Sequence, residues 1–129
     1  MTRSEIKKLD KLWSEAVKIA AGNKCEKSGK TRYLNSHHFY SRSNQSVRWY
    51  IPNGVCLTSG NHTLCNDSAH KAPADFVEYM IEQRGEEWLN ELRVRKNTIK
   101  KQFFHEVKEY LDDFIADYKV TEESYGKEK

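Results

Sequence analysis

Four of the five histidines in this 129-residue chain fall between positions 37 and 70: the adjacent pair His37-His38, then His62, then His70, with His105 alone nearer the C-terminus. An imidazole titrating near neutrality can ligate a metal or accept a proton, so such a cluster suits either job. Side chains alternate along a strand, so adjacent histidines face opposite sides and only one enters a given site unless the strand end is twisted or bulged. The pair therefore suggests two jobs at one centre, with one ring on a metal and its neighbour approaching from another side as a base. Asn53, between Pro52 and Gly54, has ordinary turn chemistry, but its amide can also hold a loop or orient an imidazole. Order and distance add to this: Asn53 lies 15 residues after His38, and His62 lies 9 after Asn53.

These residues need elements to hold them. Ile6, Leu9, Trp13, Ala16, Val17 and Ala20 recur at helical spacing, with Ser4 as N-cap and Gly22 as the terminating glycine, which predicts a helix over 5–21. Between Asn23 and Ser36 the turn Lys27-Ser28-Gly29-Lys30 separates short runs that can pair as a hairpin, and Tyr33-Leu34 leads into the histidine pair. Arg42 to Gln45 reads as a loop. The apolar run Val47–Ile51 should touch a core, and Val55-Cys56-Leu57 suits a second strand. A short helix capped by Ser59 or Asn61 is expected before Ala69. Pro73 then opens a helix carrying Phe76, Val77, Met80 and Ile81, which Gly85 ends. Another short helix is expected over 86–95, followed by a long one capped by Thr98, with Ile99, Phe103, Val107, Tyr110, Leu111, Phe114 and Tyr118 on one face. That face should pack on the domain or on a second copy, giving a homodimer through the C-terminal helix. The tail after Val120 is polar and expected to fray.

Composition narrows the class. At 15.2 kDa, with 37% hydrophobic and 32% charged residues and mean hydropathy −0.90, the chain fits one domain with a modest core. No apolar run approaches a membrane span and the N-terminus lacks a signal-peptide core, so a cytosolic protein with no membrane partner is expected. Residues 1–50 carry 11 Lys+Arg against 4 Asp+Glu, and residues 51–129 carry 11 against 15, so the first half is the side to meet a polyanion. Three irregularly spaced cysteines, Cys25, Cys56 and Cys65, argue against a disulfide framework.

The stretch SHHFYSRSNQSVRWYIPNGVCLTSGNH, continuing through AHKAPADF, resembles the HNH endonuclease family, and most of all small phage-encoded HNH proteins. The resemblance covers about residues 23–95. It implies an α+β fold in which a ββα-metal core (23–71) follows an N-terminal helix (1–22) and precedes a helical extension (72–120) and a flexible tail (121–129). It also implies one divalent cation and cleavage of DNA phosphodiesters. Matched position by position, His38 is the general base, Asn53 steadies the loop and the base, and His37 and His62 are metal ligands. A third ligand usually follows four residues after the second, where this chain has Asn66. His70 fits if one helical turn has been inserted, and is favoured over Asn66. The two CxxC pairs that hold a bracing zinc in many relatives are reduced here to Cys25 with Ser28, and Thr58 with Asn61. No structural zinc is therefore expected. The core should rest on Trp13, Leu34 and Trp49, with Cys56 and Cys65 as small buried hydrophobes.

The expected protein is thus a metal-dependent DNA endonuclease, nicking or cutting, with Mn²⁺, Ni²⁺, Zn²⁺ or Co²⁺ suited to histidine ligands and Mg²⁺ to oxygen. Lys30, Arg32, Arg42 and Arg48 are the candidate phosphate contacts, with weak sequence preference. A phage protein of this kind would work in the host cytosol beside a packaging or recombination partner. Two other readings use the same residues: a DNA-binding accessory protein holding metal without turnover, and a structural zinc protein using His37, His62, His70 and a cysteine. A base beside a ligand is needed only by the enzyme.

Overall fold

The computed structural model describes residues 1–127, an α+β fold with a small antiparallel sheet between helices. The first helix, α1, spans Arg3–Ala20. Its N-cap is Thr2 rather than Ser4: the Thr2 side chain accepts from the Glu5 backbone N–H while the Glu5 carboxylate reaches back to the Thr2 N–H, a reciprocal cap that Ser4 cannot build. Leu9, Trp13, Ala16 and Val17 are its buried face.

The expected hairpin within 23–36 does not form. Residues 25–30 close instead into a tight loop, with the Cys25 N–H on the Lys30 carbonyl and the Gly29 N–H on the Cys25 carbonyl, both at 2.8 Å. Strand β1, Leu34–His38, pairs antiparallel with β2, Gly54–Thr58, in a register that sets Ser36 opposite Cys56, His37 opposite Val55 and His38 opposite Gly54. The connection holds a short helix, α2 (Gln45–Arg48, capped by Asn44), and a single 3-10 turn over Ile51–Asn53. Helices α3 (Pro73–Arg84) and α4 (Glu86–Lys96) meet at Gly85, whose φ of 90° lies where glycine is favoured.

The long C-terminal helix, α5, begins at Phe104, not at Thr98, and its backbone continues to Lys127, into the segment expected to fray. Thr98 is used otherwise: its hydroxyl donates to the Val94 carbonyl, and its own carbonyl accepts from Ser46. Ile99 is fully exposed. The last two residues of the expected tail lie outside the described chain.

The sheet separates two apolar clusters. One face meets α1 and α5, where Leu9, Trp13, Val17, Cys56, Val107, Leu111 and Ile115 pack together. The other meets α3, through Val55, Leu57, Phe76 and Met80. The apolar stripe of α5 is thereby covered by α1 of the same chain. Trp13, Trp49 and Cys56 are buried and Leu34 is partly so, but Cys65 is exposed on a loop, contrary to expectation. No helix among the described residues is long and apolar enough to cross a membrane.

Candidate metal centre

Strand alternation puts the two adjacent histidines on opposite faces. His37 points toward α3, edge-on to Phe76 at 5.2 Å between ring centroids. His38 points toward α1 and stacks on Trp13, with centroids 3.9 Å apart and planes within 10°. Both nevertheless line one open cleft of about 700 Å³, because they sit at the end of β1, where the sheet stops.

His62 comes from a π-helical turn over Gly60–Leu64, closed by the Cys65 N–H on the Gly60 carbonyl at 2.9 Å. A short helix was expected here, but only this one wide turn forms. His70 does not share a helix with His62. The chain loops out over 63–68 and returns, and the backbone then bridges twice: Ala69 N–H to the Asn61 carbonyl at 2.8 Å and His70 N–H to the His62 carbonyl at 3.1 Å. That bridge aligns two histidines eight residues apart. The ligating atoms of His37, His62 and His70 lie within 4.8 Å of one another, close enough to hold a metal ion. Asn66 is exposed on the looped-out segment and does not line the cleft.

Two of the rings, His37 and His62, are biased toward the neutral form in which imidazole donates to a metal. Burial pushes His37 down to about 3, helped by the neighbouring His62 and His70, and burial also lowers His62. Asn35, two residues before His37 and so on the same face of β1, turns its Oδ1 toward His62 Nδ1 at 3.3 Å. An amide oxygen only accepts, so His62 carries its proton on Nδ1 and its Nε2 lone pair faces His70 Nε2 at 2.9 Å.

His38 stands apart from this donor set. Its Nε2–H donates to the Arg48 carbonyl at 3.0 Å, which leaves Nδ1 as the free basic nitrogen. Burial lowers its pKa, opposed by the Arg48 hydrogen bond and by Asp10. The segment that carries this carbonyl is held on two sides. The Arg48 guanidinium is bidentate to Asp10 at 3.1 and 2.8 Å, and Trp49 Nε1–H donates to the same carboxylate at 2.8 Å. Burial raises the Asp10 carboxyl, but these two partners hold it below the usual carboxylate range. On the other side Asn53, fully buried, accepts from the Tyr40 N–H and donates to the Tyr40 and Val47 carbonyls, tying down the loop that leads into α2.

The candidate phosphate contacts separate. Arg42 is exposed at the rim of the cleft. Arg48 is committed to Asp10 and lies against the Trp49 ring, so its guanidinium is a structural group rather than a free cation. Lys30 and Arg32 are exposed on a separate groove across the 60–64 turn. From Lys27 to Asn66 the chain carries Lys27, Lys30, Arg32, Arg42 and Arg48 and not one Asp or Glu.

Cys25, Ser28, Thr58 and Asn61 do come together, held by hydrogen bonds. The Asn61 Oδ1 accepts from Cys25 Sγ at 3.4 Å and from Thr58 Oγ1 at 3.1 Å, while the Ser28 N–H donates to Cys25 Sγ at 3.4 Å. Hydroxyl and amide groups at three of these four positions are poor zinc ligands. Asp10, Trp13 and Asn35 were not among the residues expected in the site. Only Asn35 had a sequence signal, its strand parity with His37.

No protein-family model, curated protein or solved structure matches this chain, so the functional reading rests on the geometry of the cleft.

Proposed function

We propose that this protein is a metal-dependent endonuclease of the HNH type, with β1, β2 and the 60–64 turn as a ββα-metal core, hydrolysing phosphodiester bonds in DNA. One observation carries the reading: an oriented imidazole, His38, has its Nδ1 unused beside a cluster of three other imidazoles in the same cleft. A structural or purely metal-holding site has no need of a base fixed in this way.

His37, His62 and His70 would hold one divalent cation. The donor set fits: three imidazole rings close together, with no carboxylate in the cluster, favour Zn²⁺, Ni²⁺, Co²⁺ or Mn²⁺ over Mg²⁺. When bound, the ion supplies positive charge to the scissile phosphate and the leaving oxygen. The residues of the chain do the rest. His38 takes a proton from water at Nδ1 as that oxygen attacks phosphorus. Trp13 and the Arg48 carbonyl keep the ring in place, and Asn53, through the Val47 carbonyl, and Asp10, through the Arg48 and Trp49 side chains, hold the segment that carries it, acting as positioning residues. Arg42 meets the phosphate backbone at the rim.

The test is a supercoiled-plasmid assay with EDTA, Mg²⁺, Mn²⁺, Ni²⁺ and Zn²⁺ in parallel, comparing the native protein with His38→Ala. Metal-dependent nicking or linearisation that drops by at least a hundredfold in the variant, with metal affinity within about twofold of native, is the expected result. Metal and DNA binding by the native protein without cleavage under any ion would overturn it in favour of a DNA-binding accessory role.

A further inference from the structure

Tyr33 has no part in the chemistry above, yet it is the most conspicuous side chain beside it. It is 80% exposed and sits at φ 56°, a left-handed conformation that a bulky residue adopts rarely. The conformation is held by its neighbours: the Tyr33 carbonyl accepts from both the Ser59 N–H at 2.9 Å and the Ser59 hydroxyl at 3.3 Å. Backbone strain of this kind persists where surrounding contacts over-determine it, and here the result is an aromatic ring raised into solvent.

The surroundings have one sign of charge. Tyr33 lines an open groove of about 800 Å³ with Lys30, Arg32, Ser59, Gly60 and Leu64, and no acidic side chain borders it. Leu64 is itself 68% exposed, so an apolar side chain and an aromatic ring flank two exposed cations. The groove and the histidine cleft share the 60–64 turn: Gly60 and Leu64 face one, His62 the other. Tyr33 also directly precedes β1, whose fourth residue is His37, a separation of about 13 Å along an extended chain.

We propose that Tyr33 is a base-stacking platform for an unpaired DNA strand, which Lys30 and Arg32 hold by its phosphates as it leaves the histidine cleft across the 60–64 turn. The proposal deepens the nuclease reading and rests on it for the strand's direction, making the preferred substrate one with a single-stranded flank rather than continuous duplex. Stacking requires the bases to be unpaired, because in a duplex their faces are already covered.

The test measures binding without turnover. Fluorescein-labelled single strands and duplexes of equal length and sequence are titrated in EDTA with native protein and with Tyr33→Phe, Tyr33→Ala and Tyr33→Gly. Stacking predicts that Phe keeps single-strand affinity within about twofold, while Ala and Gly each lose about five- to a hundredfold, and that duplex affinity changes far less. Glycine adopts the Tyr33 backbone without strain, so affinity retained in Gly but lost in Ala would make the effect one of backbone shape and overturn the proposal. Equal losses on duplex, no loss in any variant, or no single-strand binding by the native protein would also overturn it. Lys30→Gln and Arg32→Gln should each reduce the logarithmic salt slope by about 0.7. If the plasmid assay shows no cleavage while the Tyr33 series behaves as expected, the nuclease reading fails and the stacking surface stands.

Discussion

His38 shows how much of a catalytic side chain's behaviour is decided by groups that never touch substrate. Its reactive nitrogen is selected by a backbone carbonyl, its plane is fixed by Trp13, and the carbonyl depends on the Asp10 carboxylate two contacts away. Asp10→Asn should therefore lower the rate of DNA cleavage by about tenfold while leaving metal affinity unchanged, a split that separate rate and metal titrations would reveal. The buried imidazoles also make a stability prediction for the metal-free protein. Burial holds the folded pKa of His37 down to about 3, against about 6.5 for an ordinary histidine, so the unfolded chain binds the proton more readily. Stability from its burial is complete above about pH 6.5 and is lost as pH falls toward 3, by at most about 1.4 kcal/mol per unit for this one group. Urea unfolding in EDTA at several pH values should show that decline, and His37→Gln should flatten it.

Among the elements, α1 and the sheet meet so closely at Gly54 that only glycine fits there. A β-carbon on Gly54 would collide with the Val17 methyls and lie 2.9 Å from Trp13 Cζ2, directly across the ladder from His38. Gly54→Ala is expected to cost about 1–3 kcal/mol, and to disturb the Trp13 stack, measurable as a lowered denaturation midpoint together with slower cleavage. Along the edge of β2 that β1 leaves open, Glu26 accepts from the Cys56 N–H and pairs with Arg84, which also donates to the Pro52 and Gly54 carbonyls. Each side chain of this pair keeps only 22% and 23% of its surface in water. Arg84→Met should destabilise by about 2–3 kcal/mol in a chemical denaturation, below the loss for a fully buried pair because some solvent remains to the orphaned Glu26.

Across the whole molecule, α5 completes the core that supports the cleft. Val107, Leu111 and Ile115 pack against Leu9 and Trp13. Burying three such side chains is worth roughly 1.5–3 kcal/mol each, so a chain ending before Phe104 should fail to fold cooperatively, as circular dichroism melting would show. Much of this organisation was legible in the sequence. Helical periodicity located α1, α3 and α4, and β-branched and apolar residues around Cys56 located β2. The histidine spacing picked out the rings that meet in the cleft. What escaped depended on tertiary partners: the 25–30 loop closes on its own backbone and the Cys25 thiol and meets β2 through Glu26 alone, and the Thr98 carbonyl is taken up by Ser46. Asp10 joined the site only because Arg48, at the end of α2, and Trp49 reach back to it on α1, a pairing across 38 residues that no local pattern encodes.

The double backbone bridge that aligns His62 with His70 leaves the segment 63–68 outside the alignment it produces. That loop is a natural port for modification, because changes in its length need not move either donor atom. Cys65 lies on it and is the exposed thiol, whereas Cys25 and Cys56 are buried and the Cys56 thiol is pushed up to about 11 by burial and by Glu26. A thiol-reactive dye would therefore attach to the native chain at a single position within the loop that joins two of the candidate ligands, giving an optical reporter of metal occupancy without any substitution.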